Sequence, residues 1–254
     1  MDKNYYKEYY HLERNHWWFK ARMEILESMI AEKLPPSSTA SLKILNVGAA
    51  TGASSQMLER FGEVTSLEYD KECCQFLAEK VGIQALNASV LELPFADNSF
   101  DLICCFDVIE HVEDDDTAVQ EMQRVLKEGG HLFITVPAFM FLWSHHDEIN
   151  HHYRRYTRPQ LLSVVNKQGL KVKNTSYFNF FTFFPIALYR LIFSKSDKKK
   201  KQSEDSTGSD FEVMNGANWV NTLLYKVFRT EKWILRRNLA FPVGVSIMTL
   251  LQKE

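Results

Sequence analysis

The chain lacks most of the features that mark exported or nucleic-acid-binding proteins. Its formal net charge is only −2, so it has no basic excess that would attract DNA or RNA. Its four cysteines occur as the adjacent pairs Cys73-Cys74 and Cys104-Cys105. Neighbours in a strand point to opposite faces, which argues against a disulfide framework. The N-terminus has no apolar signal core, so we predict a cytoplasmic protein that does not bind nucleic acid.

Long apolar runs are also missing. The aromatic stretch 178–193 is shorter than the roughly 20 residues that span a bilayer, and it contains Pro185 and Arg190. Lysines cluster directly after it, so the profile of 178–201 is amphipathic and basic, which favours peripheral contact with an anionic membrane. Packing of an insertion, or a homodimer contact, explains the same aromatic residues equally well.

What the chain does contain is an alternation of strand and helix patterns. With 254 residues and 45% hydrophobic content, it is long enough for one large α/β domain with an appendage. From 43 to 136 the alternation predicts a parallel sheet with helices on both faces. Helical spacing over 5–33 predicts a lid before it, and the polar run 194–210 is typical of a disordered linker. An amphipathic helix is predicted near 217–237, before a final apolar strand.

A glycine-bracketed turn follows the first predicted strand and opens a helix. Gly48 and Gly52 remove Cβ where a ligand must approach the backbone, and the helix offers unpaired amide donors at its N-terminus. Glu68 closes the next apolar run, where an acid can accept hydrogen bonds from both hydroxyls of a ribose. A dinucleotide fingerprint would need glycine where Ala50 and Ala53 stand, and no P-loop Gly-Lys-Ser/Thr follows. The turn therefore predicts a ligand that has a ribose and no phosphate.

With this turn, residues 91–137 resemble the class I S-adenosylmethionine-dependent methyltransferases, and in particular a type 11-like methyltransferase domain. The resemblance is carried by Phe106-Asp-Val-Ile-Glu-His-Val112 and Arg124-Val-Leu-Lys-Glu-Gly-Gly130, together with the segment before them. It implies a Rossmann-like, doubly wound, mostly parallel seven-stranded sheet with an antiparallel edge strand. It also implies S-adenosyl-L-methionine as the cofactor.

The resemblance leads to a domain division. We expect an N-terminal helical lid and linker at 1–41 and the methyltransferase domain at 42–254. An aromatic and helical insertion at 178–240, before the last strand, contains the linker.

The family's cofactor residues carry over to the matching positions of this chain. The glycine turn is expected beside the methionine and ribose, Glu68 at the ribose hydroxyls and Ser89 at the adenine amino group. Asp107 could equally be a helix cap. Asn46 and Ala50 depart from the pattern, since many relatives have an acid and a glycine there. The expected cofactor residues are Arg22, Asn46, Gly48, Ala49, Gly52, Glu68, Tyr69, Ser89, Phe106 and Asp107.

Two further segments resemble one bacterial and archaeal branch of the family. They are His16-Trp-Trp-Phe-Lys-Ala-Arg22 and the loop 143–158, in which a His-Asp pair precedes His-x-Arg-Arg-Tyr. Histidine titrates near neutrality, so the candidate bases are His146, His152 and His111. The candidate acceptor-binding residues are Trp18, Trp143, Asp147, Arg154, Arg155 and Tyr156.

Purely structural roles for these two segments stay open. The tryptophans could pack the lid on the sheet, and the arginines could pin the loop by hydrogen bonds. No metal-ligand spacing such as H-E-x-x-H is present, so we expect no metal.

These patterns predict an S-adenosylmethionine-dependent methyltransferase that modifies an oxygen of a sugar, a lipid-linked glycan or another small acceptor. The location follows as cytoplasmic, at the inner face of the membrane if 178–201 contacts lipid. Two alternatives stay open. One is a non-catalytic partner protein that binds the cofactor in a degenerate cradle, and the other is a nucleotide-dependent oxidoreductase.

Overall fold

The computed structural model describes residues 3–34, 41–193 and 218–254. Seven strands form one sheet in the order β3-β2-β1-β4-β5-β7-β6. They are β1 (Leu42–Val47), β2 (Gly62–Glu68), β3 (Leu86–Asn87), β4 (Phe100–Phe106), β5 (Leu126–Pro137), β6 (Leu170–Phe178) and β7 (Ser246–Lys253). The predicted mostly parallel seven-stranded sheet is confirmed. The antiparallel strand is β7, which pairs with β5 on one side and with the edge strand β6 on the other.

Helices connect the parallel strands, as βαβ crossovers require. In chain order the helices are α1 (Lys3–Asn15), α2 (Trp17–Lys33), α3 (Ala53–Leu58), α4 (Lys71–Phe76), α5 (Asp115–Val125), α6 (His145–Ile149), α7 (Arg158–Asn166), α8 (Phe180–Phe193), α9 (Asn218–Phe228) and α10 (Glu231–Arg236). Short helical turns also occur at Leu77–Val81, Ile109–His111 and Met140–Leu142. The strand order reverses between β1 and β4, which makes that point the expected ligand crevice of an open α/β sheet.

The central strands are apolar on both faces because helices cover both. Ile44 and Leu45 are adjacent in β1, and Leu102 and Ile103 are adjacent in β4; none of the four has measurable exposure. Adjacent residues of a strand point to opposite faces, so each pair fills the core on both sides of the sheet. Such strands give a rigid platform, and their carboxyl ends position the residues of the site.

Local capping fixes where several of the helices begin. The Asp70 carboxylate accepts from the backbone N–H groups of the first turn of α4, and the Asp114 carboxylate accepts from Thr117 N at 2.9 Å, at the start of α5. Thr157 and Gln160 form a capping box on α7. These caps end the loops that follow β2, β4 and β5, so they fix the lengths of the loops around the crevice.

The helical lid and the C-terminal helices pack against each other. On α2, Glu24 accepts a hydrogen bond from the Tyr225 hydroxyl of α9 and pairs with Lys232 of α10 at 3.0 Å. Further along α2, Glu32 pairs with Arg236 at 2.6 Å. The single helix predicted near 217–237 is thus two helices, and both lie on the lid. The predicted linker 194–210 lies outside the described residues, and the domain division stays a prediction.

Helix α8 contains the aromatic stretch and begins on a buried acid. The Glu231 carboxylate accepts from Asn179 N at 2.7 Å and from Phe181 N at 3.3 Å, and it is fully buried. Burial raises the pKa of Glu231 to about 7. Within 3–34, 41–193 and 218–254, no helix has both the length and the apolar content that a bilayer span requires.

Candidate functional site

A cavity of about 790 Å³ opens at the point where the strand order reverses. The turns after β1 and β2 line one end of it, the loop around α6 lines the other, and the segment after β4 reaches both. The lid helices and α8 contribute further walls. Twelve of the predicted site residues line this one cavity: Trp18, Arg22, Gly48, Glu68, Tyr69, Ser89, Phe106, Asp107, His111, His146, His152 and Arg155.

The other predicted site residues do not line the cavity. They are Asn46, Ala49, Gly52, Trp143, Asp147, Arg154 and Tyr156. Several of them support residues that do line it. Asn46, for example, is fully buried below the glycine turn, where its Nδ2 donates to Ser54 Oγ and Ser55 Oγ, each at 2.8 Å.

The glycine turn has a backbone geometry that a side chain would disrupt. Gly48 has φ +77°, and a Cβ placed there would lie 2.4 Å from Val108 Cγ2. The backbone N–H groups of Gly48 and Ala49 both donate to Leu67 O, at 2.9 and 3.0 Å, which ties the turn to β2. Ala50 also has a positive φ, of +45°, a conformation that costs a residue with a Cβ about 1 kcal/mol. The turn thus keeps the shape of a glycine cradle although one position is alanine.

Glu68 lies beside this turn, and each of its carboxylate oxygens accepts a backbone hydrogen bond. Its Oε2 accepts from Ala50 N and its Oε1 from Asp70 N, both at 3.0 Å. Burial raises the pKa of the Glu68 carboxyl. Each oxygen keeps a second lone pair and Glu68 lines the cavity, so Glu68 can accept hydrogen bonds from two vicinal hydroxyls of a ribose.

The cradle end of the cavity is acidic. Glu13 of α1, Glu68, Asp70 and Asp107 all line it. Glu13 bonds the Thr51 hydroxyl, and burial raises the pKa of Glu13 to about 7. Carboxylates in a partly desolvated cavity attract a cation and repel a phosphate. This end of the cavity therefore suits a positively charged, phosphate-free nucleoside.

Arg22 of α2 crosses from the lid to the sheet and is only 5% exposed. Its Nη2 pairs with the Asp107 carboxylate and donates to Thr135 Oγ1 at 2.9 Å. The guanidinium carbon lies 4.7 Å from the centroid of the Phe178 ring. The sequence places Arg22 among the expected cofactor residues, and in the structure its guanidinium pairs with Asp107. Asp107 in turn has φ +55°, at the turn between β4 and Ile109–His111.

The far end of the cavity is built on Asp147. This buried carboxylate accepts from Arg155 through two hydrogen bonds, Nε to Oδ1 at 2.8 Å and Nη2 to Oδ2 at 2.9 Å. Its Oδ1 also bonds His152 Nδ1 at 2.8 Å. Burial acts to raise the pKa of Asp147, but the bonds from His152 and Arg155 outweigh it and leave the pKa lowered. Asp147 thus holds both His152 and Arg155 in place.

Three histidines from two loops meet at this end. The rings of His111 and His152 have centroids 4.4 Å apart, and those of His146 and His152 are 6.2 Å apart. Burial and the neighbouring His152 lower the pKa of His111 to about 4, so its imidazole is neutral near pH 7. We call His111, His146 and His152 the imidazole cluster.

Arg154 and Tyr156 bind the start of α5. Arg154 pairs with Asp115 at 2.8 Å, and the Tyr156 hydroxyl donates to the same carboxylate at 2.7 Å. Both contacts hold the loop 143–158 against the domain. Trp143 packs near His152, with ring centroids 6.5 Å apart.

The sequence pattern missed several residues that line the cavity. Tyr6 and Tyr9 of α1 and Ile186 and Arg190 of α8 come from segments that carry no motif. Glu110 could have been predicted, because it precedes His111 in the segment Phe106–Val112. The structure shows that Glu110 lines the cavity.

Comparison with known proteins agrees with this geometry. Residues 45–134 match the family model described as "Methyltransferase domain". A probable S-adenosylmethionine-dependent methyltransferase of Mycobacterium tuberculosis is 27% identical over 128 residues, which are 50% of this chain and 44% of that protein. A demethylmenaquinone methyltransferase of Staphylococcus aureus is 34% identical over 97 residues, which are 35% of this chain and 40% of that protein. The chain thus matches less than half the length of either relative.

Among solved structures, the fold is similar to that of phosphoethanolamine N-methyltransferase 2 of Haemonchus contortus in complex with S-adenosyl-L-methionine. The TM-score is 0.56 at 17% identity, over 90% of this chain and 52% of that one. At that identity the likeness concerns the fold alone.

A glycine substitution can test the close approach at the cradle. We expect Gly48→Ala to lower the free energy of unfolding by more than Gly82→Ala, measured by urea denaturation. Gly82 has nearly the same φ, +79°, but no atom within 4 Å of an added Cβ, so both variants carry the backbone cost of about 1 kcal/mol. Only Gly48→Ala adds the clash with Val108, which we expect to lower the free energy of unfolding by about 1–3 kcal/mol more.

A second substitution isolates the clash. Adding Val108→Ala removes Cγ2 and with it the clash. The double variant should therefore lose less free energy of unfolding than the sum of the losses of the two single variants. Equal losses for Gly48→Ala and Gly82→Ala would show that the turn has room for a side chain.

Proposed function

We propose that this chain, which belongs to the class I S-adenosylmethionine-dependent methyltransferases, transfers a methyl group from S-adenosyl-L-methionine to an oxygen of a small acceptor. One observation carries the proposal. A single cavity joins an acidic glycine cradle at the strand crossover to a cluster of imidazoles. The first end suits the donor, and the second suits an acceptor that must lose a proton.

The residues of the cradle fit the cofactor. An added Cβ at Gly48 would lie 2.4 Å from Val108 Cγ2, so glycine lets the turn pack closely against the segment after β4, and both segments line the cavity. Glu68 presents acceptors for the ribose hydroxyls, and Ser89 lines the wall where the adenine is expected. When bound, the cofactor supplies a methyl group that is already activated by a positive sulfur, so the protein mainly has to bind and aim it.

Charge separates this proposal from the oxidoreductase alternative. A nicotinamide dinucleotide would bring a pyrophosphate to the glycine turn, next to Glu68 and Asp70 and close to the carboxylate of Asp107. Arg22, which lines the cavity, already pairs with Asp107. A sulfonium has the opposite charge and gains from the same carboxylates.

The acceptor end contains imidazoles, and its Arg155 and Asp147 are paired with each other. Arg155 lines the cavity, but its Nε and Nη2 donate to Asp147 and its Nη1 donates to Ala138 O at 3.4 Å. The imidazole cluster contributes ring nitrogens that can accept a hydrogen bond from a hydroxyl. These features favour a neutral hydroxyl acceptor, such as that of a sugar or another small molecule, over a strongly anionic one.

Helix α8 connects the cavity to an exposed apolar surface. Ile186 and Arg190 line the cavity, whereas Phe181, Phe184 and Leu188 are 39%, 55% and 60% exposed. Successive helix residues turn by roughly 100°, so these two sets lie on opposite sides of α8. The sequence continues from α8 into a lysine cluster. We therefore include a lipid-linked acceptor, met at an anionic membrane, in the proposal.

The role of Glu68 can be tested by binding. We expect Glu68→Gln to weaken S-adenosylhomocysteine binding by about tenfold or more, because it loses charge-assisted hydrogen bonds to the ribose. Isothermal titration calorimetry measures this. Glu63→Gln is the matched control, since Glu63 is exposed on the same strand and outside the cavity. Unchanged affinity in Glu68→Gln would remove Glu68 from the cofactor site.

The proposed reaction can be tested with a panel of acceptors. We expect the chain to release S-adenosylhomocysteine from S-adenosylmethionine with a sugar, glycan, lipid-linked glycan or carboxylate acceptor. Glu63→Gln should retain the rate, and Glu68→Gln should need more cofactor for it. Cofactor binding without turnover across the whole panel would favour the non-catalytic partner. Binding of NAD and not of S-adenosylmethionine would favour the oxidoreductase.

Vesicle sedimentation can test the surface of α8. We expect the chain to bind vesicles of anionic phospholipid more than neutral ones, and Phe184→Ser with Leu188→Ser to reduce that binding several-fold. Leu86→Ser is the control, because Leu86 is also exposed but lies on β3 at the far edge of the sheet. A change from dimer to monomer in the double variant, without any vesicle binding, would assign the patch to a homodimer instead.

A further inference from the structure

Three potential metal ligands converge at the acceptor end of the cavity. Glu110 and His111 belong to the helical turn after β4, and His152 belongs to the loop after α6. One ligand atom from each lies within 4.8 Å of the other two. All three side chains line the cavity. The two segments are also joined through the backbone, because Tyr153 N donates to Glu110 O at 2.8 Å.

Both histidines are held in the tautomer that a metal site needs. His111 Nδ1 lies 2.8 Å from Asn150 O, and a carbonyl can only accept, so Nδ1 carries the proton and Nε2 keeps its lone pair. His152 Nδ1 lies 2.8 Å from Asp147 Oδ1, which is an ionised acceptor, so the same holds there. A carbonyl or carboxylate on the far nitrogen is the usual support of a metal-binding imidazole.

Glu110 is a buried acid that the protein leaves unsatisfied. It has no measurable exposure, and neither carboxylate oxygen has a hydrogen-bond partner in the part of the chain that the structure describes. The nearby guanidiniums are committed elsewhere, Arg22 to Asp107 and Arg155 to Asp147. A buried carboxylate normally has a cation or several donors beside it. The side chains around Glu110 supply neither.

We propose that Glu110, His111 and His152 bind one divalent transition-metal ion. Two imidazoles and one carboxylate favour Zn²⁺, Fe²⁺, Co²⁺ or Mn²⁺ over Mg²⁺ and Ca²⁺, which prefer oxygen ligands alone. The site revises our expectation of no metal, which rested on ligand spacing within one segment. Here the ligands come from two separate loops, so their spacing in the sequence matches no local metal-binding motif.

The site deepens the proposed function and rests on it for its role. Three protein ligands leave at least one coordination position open, and the ligands line the cavity that would hold the acceptor. A metal at such a position binds a hydroxyl oxygen and lowers its pKa. The metal would therefore select acceptors with an oxygen ligand, and His111 and His152 would act as its ligands.

Metal uptake by the chain tests the proposal without any acceptor. The untagged protein is stripped with a chelator, dialysed and titrated with Co²⁺, which gives visible absorption bands when imidazoles bind it, and with Zn²⁺ followed by elemental analysis. We expect one equivalent of either ion at micromolar concentration. Glu110→Gln, which keeps the shape and removes the charge, should weaken uptake at least tenfold, and so should His152→Gln.

A matched control comes from the same loop. His145 is exposed and lies outside the cavity, so His145→Gln should bind the metal as the unaltered chain does. Should His152→Gln fail to fold, Glu110→Gln decides alone. Absence of stoichiometric uptake, or equal uptake by Glu110→Gln and the unaltered chain, would overturn the proposal.

Binding of S-adenosylhomocysteine separates this proposal from the proposed function. Calorimetry on the metal-free chain should still show cofactor binding, since none of the three ligands belongs to the cradle. Cofactor binding without metal uptake would overturn the metal site and leave the methyltransferase proposal standing. Metal uptake without cofactor binding would support the site and remove the donor from the proposed function.

Discussion

The buried guanidinium of Arg22 is the contact on which the cavity depends. A charge removed from water has to be paired, and here its partners come from separate parts of the sheet. Asp107 follows β4, Thr135 lies in β5 and Ser246 begins β7. Pairing therefore holds α2 across the carboxyl ends of β4 and β5 and the amino end of β7. The lid is thus a wall of the site, because withdrawing it would leave Asp107 without its cation.

The sheet and the cradle could be predicted because their signals are local. Apolar strands alternate with helices, and Gly48 and Glu68 stand at strand ends, where parallel sheets bind ligands. The walls supplied by Tyr6, Ile186 and Arg190 could not be predicted, since they arise when distant helices pack. The position of β7 between β5 and β6 is likewise a property of the whole sheet, as the last strand carries no sign of its neighbours.

Local motifs also cannot tell a residue that faces a ligand from one that supports it. Val47 lines the cavity and the preceding Asn46 does not, because neighbours in a strand point to opposite faces. Asn46 instead orders the serines below the turn. Asp147 shows the same ambiguity in a loop, where its partners Arg155 and His152 line the cavity and the acid itself is buried behind them. Support and contact both call for polar residues, so only the folded structure, which shows the side chains that line the cavity, distinguishes them.

Under the proposed function, the charges along the cavity would let one fold hold a cationic donor and receive a neutral acceptor. Carboxylates dominate the cradle end, whereas at the far end Arg155 and Asp147 form an ion pair with each other. What remains there is the imidazole cluster and Glu110, which interact with uncharged oxygens or with a metal ion. Under the proposed function, acceptor specificity would belong to the loop around α6 and to α8, which line the cavity and lie outside the sheet.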